Sequence, residues 1–129
     1  MFQASHPLKV FLADDSCLIR DRVAALLTAR NMVIVGQACT PGGSIDGILA
    51  ARPQVVVLDV QLEGGSGLEV LRAVRSAAPG VAFVVFSNNA SPAYRKRYLS
   101  EGAVGFLDKS TEFDQLAQAV ASTAGQAVT

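Results

Sequence analysis

Val55-Val56-Val57-Leu58-Asp59 decides the fold: four apolar residues, three of them β-branched, follow one another without a break and stop at a carboxylate. A strand with one face in water would alternate apolar and polar. An unbroken run suits a strand covered on both faces, as in a parallel sheet between layers of helices.

Working outward, similar short runs recur at Leu8–Ala13, Met32–Gly36, Gln54–Leu58 (the run just quoted), Val81–Phe86 and Val104–Leu107. Longer segments with helical spacing lie between them. Ser16–Arg30 aligns Ile19, Val23, Leu26 and Leu27 on one face, and Gly67–Ala78 aligns Leu68, Leu71 and Val74 before Pro79-Gly80 stops it. A shorter helix carries Ile45, Ile48 and Leu49 ahead of Pro53. Ser91–Glu101 leaves only Ala93, Tyr94, Tyr98 and Leu99 for burial around Arg95-Lys96-Arg97, and Gly102 ends it. Glu112–Ala124 aligns Phe113, Leu116, Ala117, Val120 and Ala124, and Gly125–Thr129 reads as a frayed tail. Five strands alternate strictly with five helices. Right-handed crossovers then give one doubly wound α/β sheet with helices on both faces.

The composition narrows the function. With 129 residues the chain fits one domain, and with half of them apolar it can bury a core. Eleven basic residues balance eleven acidic ones, which speaks against a nucleic-acid partner that needs a basic face. Cys17 and Cys39 lack metal-site or disulfide-framework spacing and read as ordinary thiols. Residues 1–7 lack the apolar core of a signal peptide, and no run approaches the roughly 18 apolar residues of a membrane helix. A cytoplasmic protein with no membrane contact is expected.

In an open α/β sheet, ligands collect outside the carboxyl ends of the strands, at the switch in strand order. Strand one ends in Asp14-Asp15, strand three in Asp59, strand four in Ser87 and strand five near Lys109. Singly, each reads as a turn, cap or surface residue. In the order 2-1-3-4-5, strands one and three are neighbours and three carboxylates converge. Such a cluster repels itself unless a hard cation is present. Oxygen donors, with no imidazole and no paired thiols, point to Mg²⁺ and away from Zn²⁺. An aspartate can act as a nucleophile toward phosphorus, with a hydroxyl and an ammonium serving the transferred charge. Asp59, Ser87 and Lys109 supply those parts.

At Val10–Ser16, Val57-Leu58-Asp59, Gly64–Leu71, Phe86-Ser87 and Gly102–Lys109 the chain resembles the receiver domains of bacterial two-component response regulators, including the chemotaxis type. The resemblance runs from about Leu8 to Ala124, within a single domain of residues 1–129. It implies a flavodoxin-like (βα)5 fold, with Asp59 as phospho-acceptor. It makes Asp14 and Asp15 the acidic pair that holds Mg²⁺, joined by Asp59 and the backbone carbonyl of Gln61. Ser87 becomes the switch hydroxyl, Phe106 the switch aromatic and Lys109 the lysine of the site. It further implies a phosphoryl group delivered by a histidine kinase or phosphotransfer protein. A downstream effector protein, or a second copy, would then be met through the face of helix four, strand five and helix five. Such a protein modifies itself and is not a turnover enzyme. No effector domain follows, so a stand-alone receiver is expected.

Three positions depart from that pattern. The loop after the acceptor reads Leu62-Glu63-Gly64-Gly65 where proline is frequent, Asn88 follows the switch hydroxyl where a small residue is usual, and Ser110 replaces the proline after the lysine. A phosphatase of the haloacid dehalogenase type would carry an acid two residues after its nucleophile, where this chain has Gln61. A flavin-binding relative would need a phosphate cradle where Asp14-Asp15 stands. A degenerate receiver that is never phosphorylated is the alternative reading.

Overall fold

The computed structural model describes residues 6–127; of the expected frayed tail, residues 128 and 129 lie outside them. Strand β1 is Lys9–Ala13, helix α1 Cys17–Thr28, β2 Val33–Ala38, α2 Pro41–Ala51, β3 Val55–Leu58, α3 Gly67–Ala77, β4 Ala82–Ser87, α4 Pro92–Ser100, β5 Gly105–Asp108 and α5 Leu116–Ala127. The five strands form one parallel sheet in the order β2-β1-β3-β4-β5. A two-residue antiparallel ladder, Gln61–Leu62 against Gly65–Ser66, forms a separate small sheet between β3 and α3 in the chain.

All four residues of β3 are buried, as a strand between two helical layers requires. The alternation that the run conceals appears once the two faces are separated. Val10, Leu12, Val55, Val57, Val84 and Phe86 pack beneath α1 and α5, with Val23, Leu27, Leu116 and Val120. Phe11, Ala13, Val56, Leu58, Phe83 and Val85 pack on the opposite side, with Ile48, Leu71, Val74 and Tyr98. Both faces of each central strand are therefore core, and polar residues first appear where the strands end.

Several boundaries differ from the sequence expectation, for identifiable reasons. Helix α2 begins at Pro41, which suits a first turn, and Thr40 caps it by accepting from the Gly43 amide at 3.0 Å. In α4 only Tyr98 of the four expected core residues is buried; Tyr94 and Leu99 remain exposed, because the helix meets the sheet along a single line. Gly102 ends α4 at φ +114°, over the side chain of Arg75. The final helix does not start at Glu112: a 3-10 turn, Phe113–Gln115, comes first, and α5 then continues to Ala127, past the Ala124 boundary. Among the described residues no helix is long and apolar enough to cross a membrane.

Candidate functional site

Asp14, Asp59 and Lys109 are each held by one more rung of the ladder below them. The Asp14 amide donates to the Ala38 carbonyl at 3.1 Å, that of Asp59 to Ala13 at 2.9 Å, and that of Lys109 to Ser87 at 3.0 Å. Parallel pairing thus carries residues far apart in sequence to one edge. Helix α1 starts beside it, with the Ser16 hydroxyl accepting from the Ile19 amide at 3.2 Å. Gly67 opens α3 where its backbone meets that of β3: its amide donates to the Val60 carbonyl at 2.7 Å, and a Cβ there would run into the carbonyl oxygen of Asp59.

Lys109 Nζ lies 2.6 Å from Asp14 Oδ2 and 3.0 Å from Asp59 Oδ2, and all three side chains are more than nine-tenths buried. The other Asp14 oxygen accepts from the Ser16 amide at 2.9 Å, and Asp59 Oδ1 takes a longer contact, 3.4 Å, from the Gln61 amide. Asp15 stays exposed, yet one oxygen each from Asp14, Asp15 and Asp59 lies within 4.8 Å of the other two. Ser87 is buried, and its hydroxyl accepts from the Asn89 amide at 3.0 Å.

The electrostatics follow from burial. Asp14 is pushed above the usual carboxylate range by burial first and by Asp59 second, and Lys109 offsets this only in part. Burial alone would lower the Lys109 ammonium, but its hydrogen bonds and charge contacts with Asp14 and Asp59 outweigh that and hold it above its ordinary value. Three carboxylates facing one ammonium leave an excess of two negative charges. An all-oxygen donor set with that deficit fits Mg²⁺, which takes carboxylates and keeps waters free for exchange with phosphate oxygens.

These residues open into a cleft of about 950 Å³. Asp15, Asp59, Gln61, Ser87 and Lys109 line it together with Asn88, Asn89 and the α4 residues Tyr94, Arg97 and Tyr98. Of the expected site residues, Asp14 is not in its lining, and neither is Phe106. Its ring is buried below, edge-on to Tyr98 with centroids 6.1 Å apart. Burial drives the Tyr98 hydroxyl up to about 12.

Some participants had no signature in the sequence. Arg20 donates to the Asp14 carbonyl at 2.6 Å and to the Gln37 side chain at 3.2 Å, fixing the backbone under the acidic pair. Arg95 donates to the Phe106 carbonyl at 2.7 Å and lies 3.6 Å from Glu112, while the Glu112 carboxylate accepts from the Asp108 amide at 2.9 Å. An arginine reaching from one element to a backbone carbonyl of another leaves no local pattern to read.

Residues 10–121 match the family model described as the response regulator receiver domain. The chain is similar to the DNA-binding transcriptional activator DevR/DosR of Mycobacterium tuberculosis, 33% identical over 114 residues, which are 88% of this chain and 52% of that protein. It is also similar to the transcriptional regulatory protein DesR of Bacillus subtilis, 26% identical over 116 residues, 89% of this chain and 57% of that protein. The chain therefore spans about half the length of the curated relatives it matches. Among solved structures, a two-component response regulator of the LuxR family from Aurantimonas superposes with a TM-score of 0.87 at 26% identity, over 93% of this chain and 87% of that one. A chain of the CheX-CheY-BeF3-Mg complex of Borrelia burgdorferi shares the fold, with a TM-score of 0.86 at 19% identity over 92% of this chain and 90% of that one. With the sheet order, the acidic edge and the family match in agreement, the chain belongs to the response regulator receiver domain family of two-component signal transduction.

Proposed function

We propose that this chain accepts a phosphoryl group on Asp59 from a phosphohistidine of a histidine kinase or phosphotransfer protein, in a reaction that needs Mg²⁺. The observation that carries the reading is the buried bridge of Lys109 between Asp14 and Asp59, with Asp15 within reach. An Asp59 oxygen bonds to phosphorus as the bond to the donor imidazole breaks, and the imidazole leaves with the electron pair. Lys109 stays beside the oxygen that gains charge. Asp14, Asp15, Asp59 and the Gln61 carbonyl would hold the metal, which when bound neutralises charge on the phosphoryl oxygens.

The new group brings about −1.5 to −2 charge and strong acceptor oxygens next to Ser87. The Ser87 hydroxyl, now occupied by the Asn89 amide, turns to donate to it. That movement frees space over Phe106 and shifts a two-state equilibrium of α4, β5 and α5. Arg95 on α4 reaches both the Phe106 carbonyl on β5 and Glu112 in the segment between β5 and α5, which supports this face as the surface read by a downstream effector protein or a second copy. The sequence's even balance of charge supports a protein partner for these residues over nucleic acid.

The test is intact-mass and NMR observation with Mg²⁺ plus acetyl phosphate or beryllofluoride. Modification that requires Mg²⁺ and vanishes in Asp59→Asn supports the reading. A chain that stays unmodified and unshifted at saturating reagent would be a receiver that works without phosphorylation.

A further inference from the structure

The cleft reaches well beyond the carboxylates. Its far wall is one face of α4, where Ala93, Tyr94, Arg97 and Tyr98 recur at helical spacing. Tyr94 is 40% exposed, and its ring stands 6.5 Å from that of the buried Tyr98, tilted by 58°. The Arg97 side chain is 56% exposed, and its one ion pair among the described residues is a 3.5 Å contact to Glu101. Arg72 engages the same Glu101 carboxylate more closely, at 2.7 Å, so Arg97 is only weakly held.

An aromatic surface and a loosely held guanidinium therefore share one cavity with the acidic edge. We propose that the Tyr94–Arg97–Tyr98 wall is a leaving-group subsite for aromatic acyl phosphates, small-molecule donors that phosphorylate Asp59. This rests on Asp59 being the acceptor. An Asp59 oxygen forms the new bond to phosphorus. The bond from phosphorus to the acyl oxygen breaks, and the aromatic carboxylate leaves with the electron pair, with no proton, oxidant or reductant required. The departing anion faces Arg97, which matches its charge, and its ring packs on Tyr94. A cleft of about 950 Å³ has room for a ring that an acetyl group leaves unfilled.

The experiment compares initial rates of Asp59 phosphorylation by benzoyl phosphate and by acetyl phosphate, with Mg²⁺ present, read by intact mass. An aromatic contact of the usual strength makes the benzoyl-to-acetyl rate ratio roughly two- to thirteen-fold higher in the unaltered chain than in Tyr94→Ala. Tyr94→Phe keeps the ratio, whereas Arg97→Gln slows both donors together. Both donors phosphorylating Asp59 with an equal ratio in the unaltered chain and in Tyr94→Ala would overturn the subsite. Failure of both donors, with no Mg²⁺-dependent beryllofluoride shift, would instead remove the acceptor assignment on which the subsite depends.

Discussion

Arg95 and Phe106 are joined twice: the guanidinium donates to the Phe106 carbonyl at 2.7 Å, and its central carbon lies 5.1 Å from the centroid of the Phe106 ring. One side chain on α4 thus fixes both the backbone and the ring of a β5 residue. Such an arginine is not free for a partner. Reversing its charge would break the internal strap before it reported on any external contact. Lys96, exposed and in no ion pair among the described residues, is the better probe of partner binding on this face.

Arg95→Met should therefore cost stability. A charge-assisted hydrogen bond contributes about 1.5–3 kcal/mol and an exposed cation–π contact about 0.5–1 kcal/mol. The side chain is 41% exposed, so solvent screening brings the sum down to about 1–2 kcal/mol. Urea denaturation measures it. In the same variant the Phe106 ring should show more than one environment by NMR; one sharp set of signals at unchanged stability would contradict the strap.

Gly67→Ala should disturb the fold and the site together. The added methyl would strike the Asp59 carbonyl, which is backbone and cannot rotate away. Overpacking of this kind costs about 1–3 kcal/mol. Because the displaced atom belongs to Asp59, affinity for Mg²⁺ should fall as well. Gly80→Ala is the control, since a Cβ there meets nothing within 4 Å. Equal stability and equal metal response in the two variants would reject the close approach.

Much of this was legible in the sequence because parallel pairing is unforgiving. Once Val55–Leu58 is read as a doubly covered strand, its neighbours and their ends follow, and Asp14, Asp59 and Lys109 must share an edge. Asp14, Asp15, Asp59, Ser87 and Lys109 could be nominated for that reason. Helix rotation was not legible. Whether α4 buries Tyr94, Tyr98 or Leu99 depends on one packing line, and the pattern around Arg95-Lys96-Arg97 fits several. Arg20 and Arg95 were missed for a related reason: each bonds to a carbonyl, and every residue has one. The start of α5 was misplaced because the Glu112 carboxylate bonds back to the Asp108 amide instead of opening the helix.

Mg²⁺ should stabilise the chain by mass action. Asp14, Asp15 and Asp59 meet only in the folded state, so the ion binds that state and relieves the excess of two negative charges that they hold over Lys109. At a free concentration about a hundred times Kd the gain is about 2.7 kcal/mol. Thermal melts with and without EDTA read it. The increment should shrink markedly in Asp15→Asn and in Asp59→Asn, and Ca²⁺ should give a smaller response than Mg²⁺ if the site keeps the tighter geometry. An increment that survives in both variants would place the ion elsewhere.

Asp14 makes stability depend on pH in a direction opposite to that of an ordinary paired carboxylate. Its folded value is raised, by burial first and by Asp59 after Lys109 has compensated in part. A group raised in the folded state contributes stability that is fully present below its unfolded value and is lost as pH rises through the folded one. In EDTA, then, ionising Asp14 works against folding. Asp14→Asn cannot ionise, so its stability relative to the unaltered chain should improve as pH rises through a window that begins at the ordinary aspartate value near 3.9 and ends once Asp14 has ionised in the fold. The raised value of Lys109 acts only in alkali and leaves this window untouched. Subtracting the two pH profiles removes the titrating groups that do not interact with Asp14. With saturating Mg²⁺ the order should reverse, because the ionised carboxylate is then needed as a ligand and the variant loses the metal's contribution. Urea titrations across the window measure both legs. A difference that is flat in EDTA, or that moves against the variant as pH rises, would show that Lys109 compensates the buried carboxylate fully and that the site carries no unrelieved charge.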